Sequence, residues 1–174
     1  MKTNIALIGF MGTGKSTIGK LLAKKLNKTF IEIDELIEDQ AGKPISRIFE
    51  KNGEIEFRKL EIEATKKVAN RNNVVISCGG GVVLNKINID RLRKNAIIIL
   101  LTASPQTILK RTSNDSKRPL LNISDRKNQI INLLDIRDPL YKSAADFVID
   151  TTTLSVDEAV NKIIQNFSKE KWGE

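Results

Sequence analysis

One stretch near the N-terminus restricts the folds open to this chain more than any other: Gly9-Phe10-Met11-Gly12-Thr13-Gly14-Lys15-Ser16. It fits G-x-x-x-x-G-K-[ST], the pattern of a phosphate-binding loop. Its flanks agree with that reading. Ile5-Ala6-Leu7-Ile8 before it reads as a buried strand, and an amphipathic helical pattern follows through Leu26. Gly9, Gly12 and Gly14 lack a Cβ and can take positive φ, so successive N–H groups can converge on a polyphosphate at a helix N-terminus. With glycine at about 7% of ordinary usage, an accidental match in a chain of this length is on the order of 1%. A nucleotide is therefore expected against Gly12, Thr13, Gly14, Lys15, Ser16 and Thr17, with Lys15 on the β- and γ-phosphates and the Ser16 hydroxyl on Mg²⁺. The loop does not identify the phosphoryl acceptor.

Other classes are excluded or demoted by composition. The 174 residues, 40% hydrophobic and 29% charged, suit one soluble domain spanning 1–174. No apolar run approaches ~18 residues, and the first strand begins too early for a leader, so a cytoplasmic protein without a membrane partner is expected. The single cysteine, Cys78, precludes an internal disulfide, and the absence of histidine leaves acid–base work to carboxylates or lysine. The formal charge of +8 is spread along the chain, with one Trp and one Tyr available for stacking. This favours ATP and an anionic small molecule over nucleic acid, and a monomer is expected.

Along the chain, Thr29 to Asp34 alternates as a second strand, with Glu32 and Asp34 pointing the same way at its C-terminal end. That is where ligands bind in open α/β sheets. One carboxylate could hold Mg²⁺ through water while the other takes a proton from an attacking hydroxyl; Asp34 could equally be a helix cap. Residues 35–70 read as helices broken near Gly42-Lys43-Pro44 and Asn52-Gly53. Asn73 to Cys78 is a third strand ending in Gly79-Gly80-Gly81, where backbone can approach a ligand, unless the triplet is merely a flexible loop. A short basic helix over 86–94 precedes the apolar fourth strand, Ala96 to Leu101. A helix from Ser104-Pro105 ends in Lys110-Arg111. The polar, basic insert 112–125 reads as a mobile active-site lid. Helix 126–137, strand Asp146 to Asp150 and helix Val156 to Phe167 complete the chain, with 168–174 expected to fray. The alternation predicts an α/β fold: a three-layer, doubly wound, five-stranded parallel sheet.

Taken together, Gly9–Ser16, Glu32-Ile33-Asp34, Gly53-Glu54-x-x-Phe57-Arg58-x-x-Glu61, Gly79-Gly80-Gly81, Arg118-Pro119-Leu120-Leu121 and Arg137-x-Pro139-x-Tyr141 resemble the shikimate kinase family, in the nucleoside monophosphate kinase-like group of P-loop NTPases. The resemblance covers nearly the whole chain. It implies transfer of the γ-phosphate of ATP to the 3-hydroxyl of shikimate, with residues 32–62 as the substrate-binding segment. It implies Asp34 as the proton acceptor, Arg58 and Arg137 as a carboxylate clamp, Gly79, Gly80 and Gly81 against the ring, and Phe49 and Phe57 as walls. It also implies Arg118 swinging in with the lid and Arg111 stacking on adenine. Glu32 stands where the family usually has aspartate, and a water-mediated Mg²⁺ contact is implied for it. The loop 151–155 lacks the proline often found near the adenine in the family, and no specific contact is assigned to it. The readings still open are another small-molecule P-loop kinase, acting on gluconate or a nucleoside monophosphate, and a nucleic-acid-dependent ATPase.

Overall fold

The computed structural model describes residues 2–113 and 124–172, so Arg118 and most of the expected lid lie outside the described residues. Strands β1 (Asn4–Ile8), β2 (Thr29–Glu32), β3 (Val74–Ser77), β4 (Ala96–Thr102) and β5 (Phe147–Asp150) form one sheet in the order β2-β3-β1-β4-β5. Every pairing is parallel. Because side chains alternate along a strand, β1 feeds two cores at once. Ile5 and Leu7 pack with helices α1 (Lys15–Lys25) and α7 (Val156–Trp172). Ala6 and Ile8 pack on the other face, with α2 (Ile33–Ala41), α3 (Ile45–Ala69), α4 (Lys86–Arg93), α5 (Pro105–Thr112) and α6 (Arg126–Ala144). Strands covered on both faces read as continuous apolar runs, as β1 does from Ile5 to Ile8 and β4 from Ala96 to Leu101.

Three expectations are corrected. First, β2 stops at Glu32, and Asp34 lies in the first turn of α2 rather than on the strand. Ile33 and Ile37, both fully buried, meet the core at i,i+4 spacing, so the helical period prevails over the short alternation. Second, α6 passes through Pro139 instead of ending at 137. An interior proline costs a helix about 3 kcal/mol. The buried Tyr141 and Ala144 beyond it offset that cost. Third, α7 continues to Trp172, through much of the segment expected to fray. The other breaks fall where expected: α2 ends at Gly42 with φ 63°, and α3 is kinked at Gly53, with φ 77° and ψ 174°.

β3, not β2, is the neighbour of β1. Since β4 lies on the other side of β1, the chain winds away in opposite directions from β1, and a crevice opens at the strands' C-terminal ends.

Candidate active site

The chain leaves β1 through Gly9 at φ 140°, where a Cβ would stand 2.2 Å from the Leu101 carbonyl oxygen of β4. No side chain fits there. Gly14, at φ 98°, caps α1. The loop is closed by its own side chains: Thr13 Oγ1 donates to the Phe10 carbonyl at 2.8 Å, and Lys15 Nζ donates to the carbonyls of Gly9 and Phe10 at 2.9 and 2.8 Å. The ammonium therefore sits buried in the curve of the loop, beside the helix N-terminus that favours an anion.

Beside this cradle, the Ser16 hydroxyl donates to Glu32 Oε1, which also accepts from Ser77 Oγ at 3.2 Å. Although β3 separates β2 from β1, the longer glutamate spans the gap to α1. A serine hydroxyl and one carboxylate fit a hard cation that takes most of its oxygens from phosphate and water. Among the described residues no cluster of three or more acidic, Cys or His side chains offers a fuller protein cage.

The opposite wall is the glycine triplet, whose bareness has a reason besides the approach of a ligand. None of the three takes a positive φ. Instead, neighbouring side chains occupy the space where a Cβ would go. At Gly79 a Cβ would lie 2.8 Å from Asp34 Oδ1 and 2.9 Å from Glu61 Oε1; at Gly81 it would lie 2.1 Å from Arg58 Nη1. The triplet is packed, not slack. Among the described residues nothing accepts a hydrogen bond from the N–H of Gly79, Gly80 or Gly81, which leaves three donors in a row. Gly80 also abuts the phosphate loop, with its Cβ position 3.5 Å from Met11 N and 3.8 Å from both the Gly9 carbonyl oxygen and Arg137 Nη1.

Arg58 is gripped on two sides. Nη1 donates to Glu61 Oε2 at 2.9 Å, and Nε and Nη2 donate to Glu54 Oε1 at 3.2 and 2.9 Å. Its guanidinium lies over the Phe57 ring, 5.1 Å from the centroid, and Phe57 packs on Phe49 with centroids 4.8 Å apart. The two phenylalanines brace Arg58 from beneath. Glu61 is fully buried, and no described residue bonds its Oε1. Burial pushes its carboxyl above the ordinary range, although Arg58 pulls the other way. Burial works against the charge on Arg58 too, but Glu61 and Glu54 outweigh it and hold the guanidinium charged. Arg137 donates to the Gly80 carbonyl at 3.4 Å and lies 5.8 Å from the centroid of Phe10, a loop residue. Cys78 sits in the same wall, where burial pushes its thiol far up and keeps it un-nucleophilic.

At the far end, Arg111 donates to the Gly12 carbonyl at 3.2 Å and to Thr151 Oγ1 and carbonyl at 3.1 and 2.8 Å. Thr151 in turn donates to the Thr13 carbonyl at 2.9 Å. The sequence assigned no contact to this loop, since a lone threonine after a strand carries no pattern. In the structure it straps the phosphate loop to the start of α7, and Leu154, Ser155 and Val156 join Arg111 in lining the crevice.

The resulting cavity is about 420 Å³. It brings together Gly12 to Thr17, Glu32, Asp34, Gly79, Gly80 and Arg111. Arg58, Gly81 and Arg137 border it through the triplet, Phe49 and Phe57 lie under Arg58, and Arg118 is outside the described residues.

Comparison with known proteins agrees with this geometry. The family model for shikimate kinase matches residues 11–168. A shikimate kinase of Caldanaerobacter subterraneus subsp. tengcongensis is 47% identical over 168 residues, covering 97% of this chain and 98% of that one. One of Caldicellulosiruptor saccharolyticus is 48% identical over 161 residues, covering 92% and 93%. Among solved structures, shikimate kinase from Acinetobacter baumannii in complex with shikimate superposes with a TM-score of 0.95 at 35% identity, covering 98% and 96%. A gluconokinase from Sinorhizobium meliloti, at 18% identity and a TM-score of 0.59, shares the fold alone. By sequence along almost its whole length and by architecture, the chain belongs to the shikimate kinase family, the ATP:shikimate 3-phosphotransferases.

Proposed function

We propose that this crevice binds ATP against Gly12 to Thr17 and shikimate against Asp34, Arg58, Arg137 and the glycine triplet, and joins them in one transfer. The 3-hydroxyl oxygen of shikimate forms a bond to Pγ as the bond from Pγ to the β,γ-bridging oxygen breaks. The hydroxyl proton passes to Asp34, and shikimate 3-phosphate and ADP leave, a step toward chorismate and the aromatic amino acids. The observation that carries this reading is the contact of Gly80 with both halves: the phosphate loop on one side and Arg137 on the other.

Each role has a physical basis. Two guanidinium forks suit a planar carboxylate. On Arg58 the half-exposed Glu54 is the exchangeable partner, since a solvent-facing ion pair is worth about 0–1 kcal/mol, while buried Glu61 stays. The three triplet N–H groups, which have no acceptor among the described residues, suit ring hydroxyls, and Asp34 lines the same cavity from the first turn of α2. Lys15 would follow charge onto the phosphates, and Arg118 would add to it from the lid, in a reaction that depends on positioning and charge stabilisation. Arg111, held along its edges by Gly12 and Thr151, is fixed in plane for stacking on adenine. Mg²⁺ held by Ser16 and, through water, Glu32 would shield the β- and γ-phosphate oxygens. We further propose a cytoplasmic monomer without a nucleic-acid partner. Among the described residues no helix is long and apolar enough to cross a membrane.

The test is ADP release with ATP and Mg²⁺ against shikimate, AMP and gluconate in turn. Turnover with shikimate alone is expected. Equal turnover with AMP or gluconate and none with shikimate would overturn the reading, as would turnover that depends on nucleic acid.

A further inference from the structure

Arg137 and Tyr141 stand one helical turn apart on α6, on the same face. Tyr141 is 1% exposed, and its hydroxyl donates to the Gly80 carbonyl. Arg137 donates to the same carbonyl at 3.4 Å. Phenol and guanidinium therefore converge on one peptide oxygen. Since no peptide bond here is cis, the Gly80 carbonyl and the Gly81 N–H point in opposite directions across one rigid plane. Fixing the oxygen fixes the N–H. A run of glycines has no side chains to hold itself in place and loses the most freedom on ordering, so the restraint must come from outside. Burial pushes the phenol up to about 12, which keeps it a neutral donor at every pH the enzyme works in.

We infer that Tyr141 is a positioning residue for the acceptor: its hydroxyl locks the Gly80–Gly81 peptide and the Arg137 guanidinium in one relative orientation, so that ring donors and carboxylate clamp are set before shikimate arrives. This deepens the proposed shikimate site and rests on it. Tyr141 touches neither substrate; it acts through Gly80 and Arg137. It also gives the continuation of α6 beyond Pro139 a role, since a helix ending at 137 would leave the Gly80 carbonyl with the longer Arg137 bond alone.

Tyr141→Phe keeps the ring and removes one oxygen. The expected result is a shikimate KM raised about tenfold, with kcat and the KM for ATP within about twofold, the scale of one buried hydrogen bond lost. Paired with Arg137→Lys, the double variant should raise KM by less than the product of the single effects, because both act on one carbonyl. A packing role alone would lower Tm and leave both KM values in place, and that outcome overturns the inference. If Tyr141→Phe does not fold, the wild-type chain still answers. Tyr141 is its only tyrosine, so uniform 3-fluorotyrosine labels this site alone. Its ¹⁹F line should be one sharp resonance in the free enzyme as in the shikimate complex; a line broadened by exchange that sharpens only as calorimetry registers shikimate binding overturns the inference. Arg58→Ala separates this from the site reading. A raised shikimate KM in Arg58→Ala beside an unchanged one in Tyr141→Phe removes only Tyr141, whereas no change in Arg58→Ala removes the carboxylate site itself.

Discussion

On the phosphate side of the crevice, Gly9 to Ser16 supply cradle, ammonium and helix start from consecutive residues, and the loop is closed by bonds within itself. On the acceptor side, Asp34 comes from α2, Arg58 and Glu61 from α3, the triplet from the end of β3, and Arg137 and Tyr141 from α6. The first half needs only local geometry. The second depends on four elements packing correctly, and it carries the buried charge. The two halves should therefore fail differently. Damage to the cradle should remove transfer while acceptor binding persists, whereas damage to the acceptor wall, its proton acceptor Asp34 apart, should raise the shikimate KM or alter the pH dependence of stability.

The largest effect is expected from Lys15→Ala. Loss of the ammonium should lower kcat by ~10³-fold or more, the scale of removing a main charge stabiliser in phosphoryl transfer, while calorimetry still registers shikimate. If shikimate binding disappeared as well, the two halves would not be independent. Asp34→Asn keeps the shape and removes the proton acceptor, so kcat should fall by ~10²-fold with little change in either KM. An unchanged kcat would reduce Asp34 to a positioning group.

Next comes a matched pair. Arg58→Ala deletes half of the carboxylate clamp, and Gly81→Ala places a methyl group where the Arg58 guanidinium lies. Both should raise the shikimate KM, by about 10- to 100-fold for the deletion and about tenfold for the displacement, with the KM for ATP unchanged. A silent Gly81→Ala would mean that Arg58 can shift without cost and that the triplet does not set its place.

The smallest effect tests the buried charge. Because burial raises the folded-state pKa of Glu61, the folded protein holds that carboxyl proton more tightly than the unfolded chain does. The sign follows from linkage: ionisation penalises the fold at neutral pH, and the penalty is relieved as pH falls through the raised pKa toward the ordinary carboxyl value. Glu61→Gln carries no such penalty. The Tm of the wild-type chain relative to Glu61→Gln should therefore climb as pH is lowered from 7 toward 4.5. A difference that stays flat, or runs the other way, would mean that Arg58 fully compensates the buried carboxylate.

Much of this molecule was legible in the sequence because its signals are local. The phosphate loop, the apolar strands β1 and β4, the breaks at Gly42 and Gly53 and the Ser104 cap each depend on near neighbours in the chain; Ser104 Oγ accepts from Thr107 N at 3.2 Å. Misreadings arose where burial overruled local pattern. Ile33 satisfied both a strand and a helix period, so only its packing partners decided that Asp34 would enter the site from a helix. The helix expected over 126–137 runs on through Pro139 because Tyr141 beyond it is buried and anchored at Gly80.

By itself the sequence determined the order of strands and helices, the phosphate cradle and, through its spaced motifs, the family. The tertiary structure alone decided that β3 would come between β1 and β2 and that Glu32 would still reach Ser16. It also decided that the glycines would be bare because Asp34, Glu61 and Arg58 fill the space beside them, and that Thr151 would strap the crevice's far end. The reason is physical. Backbone periodicity and loop conformation are fixed over a few residues, whereas the space beside a glycine, the burial of a carboxylate and the partner of a hydroxyl are properties of atoms that meet only after the chain has closed on itself.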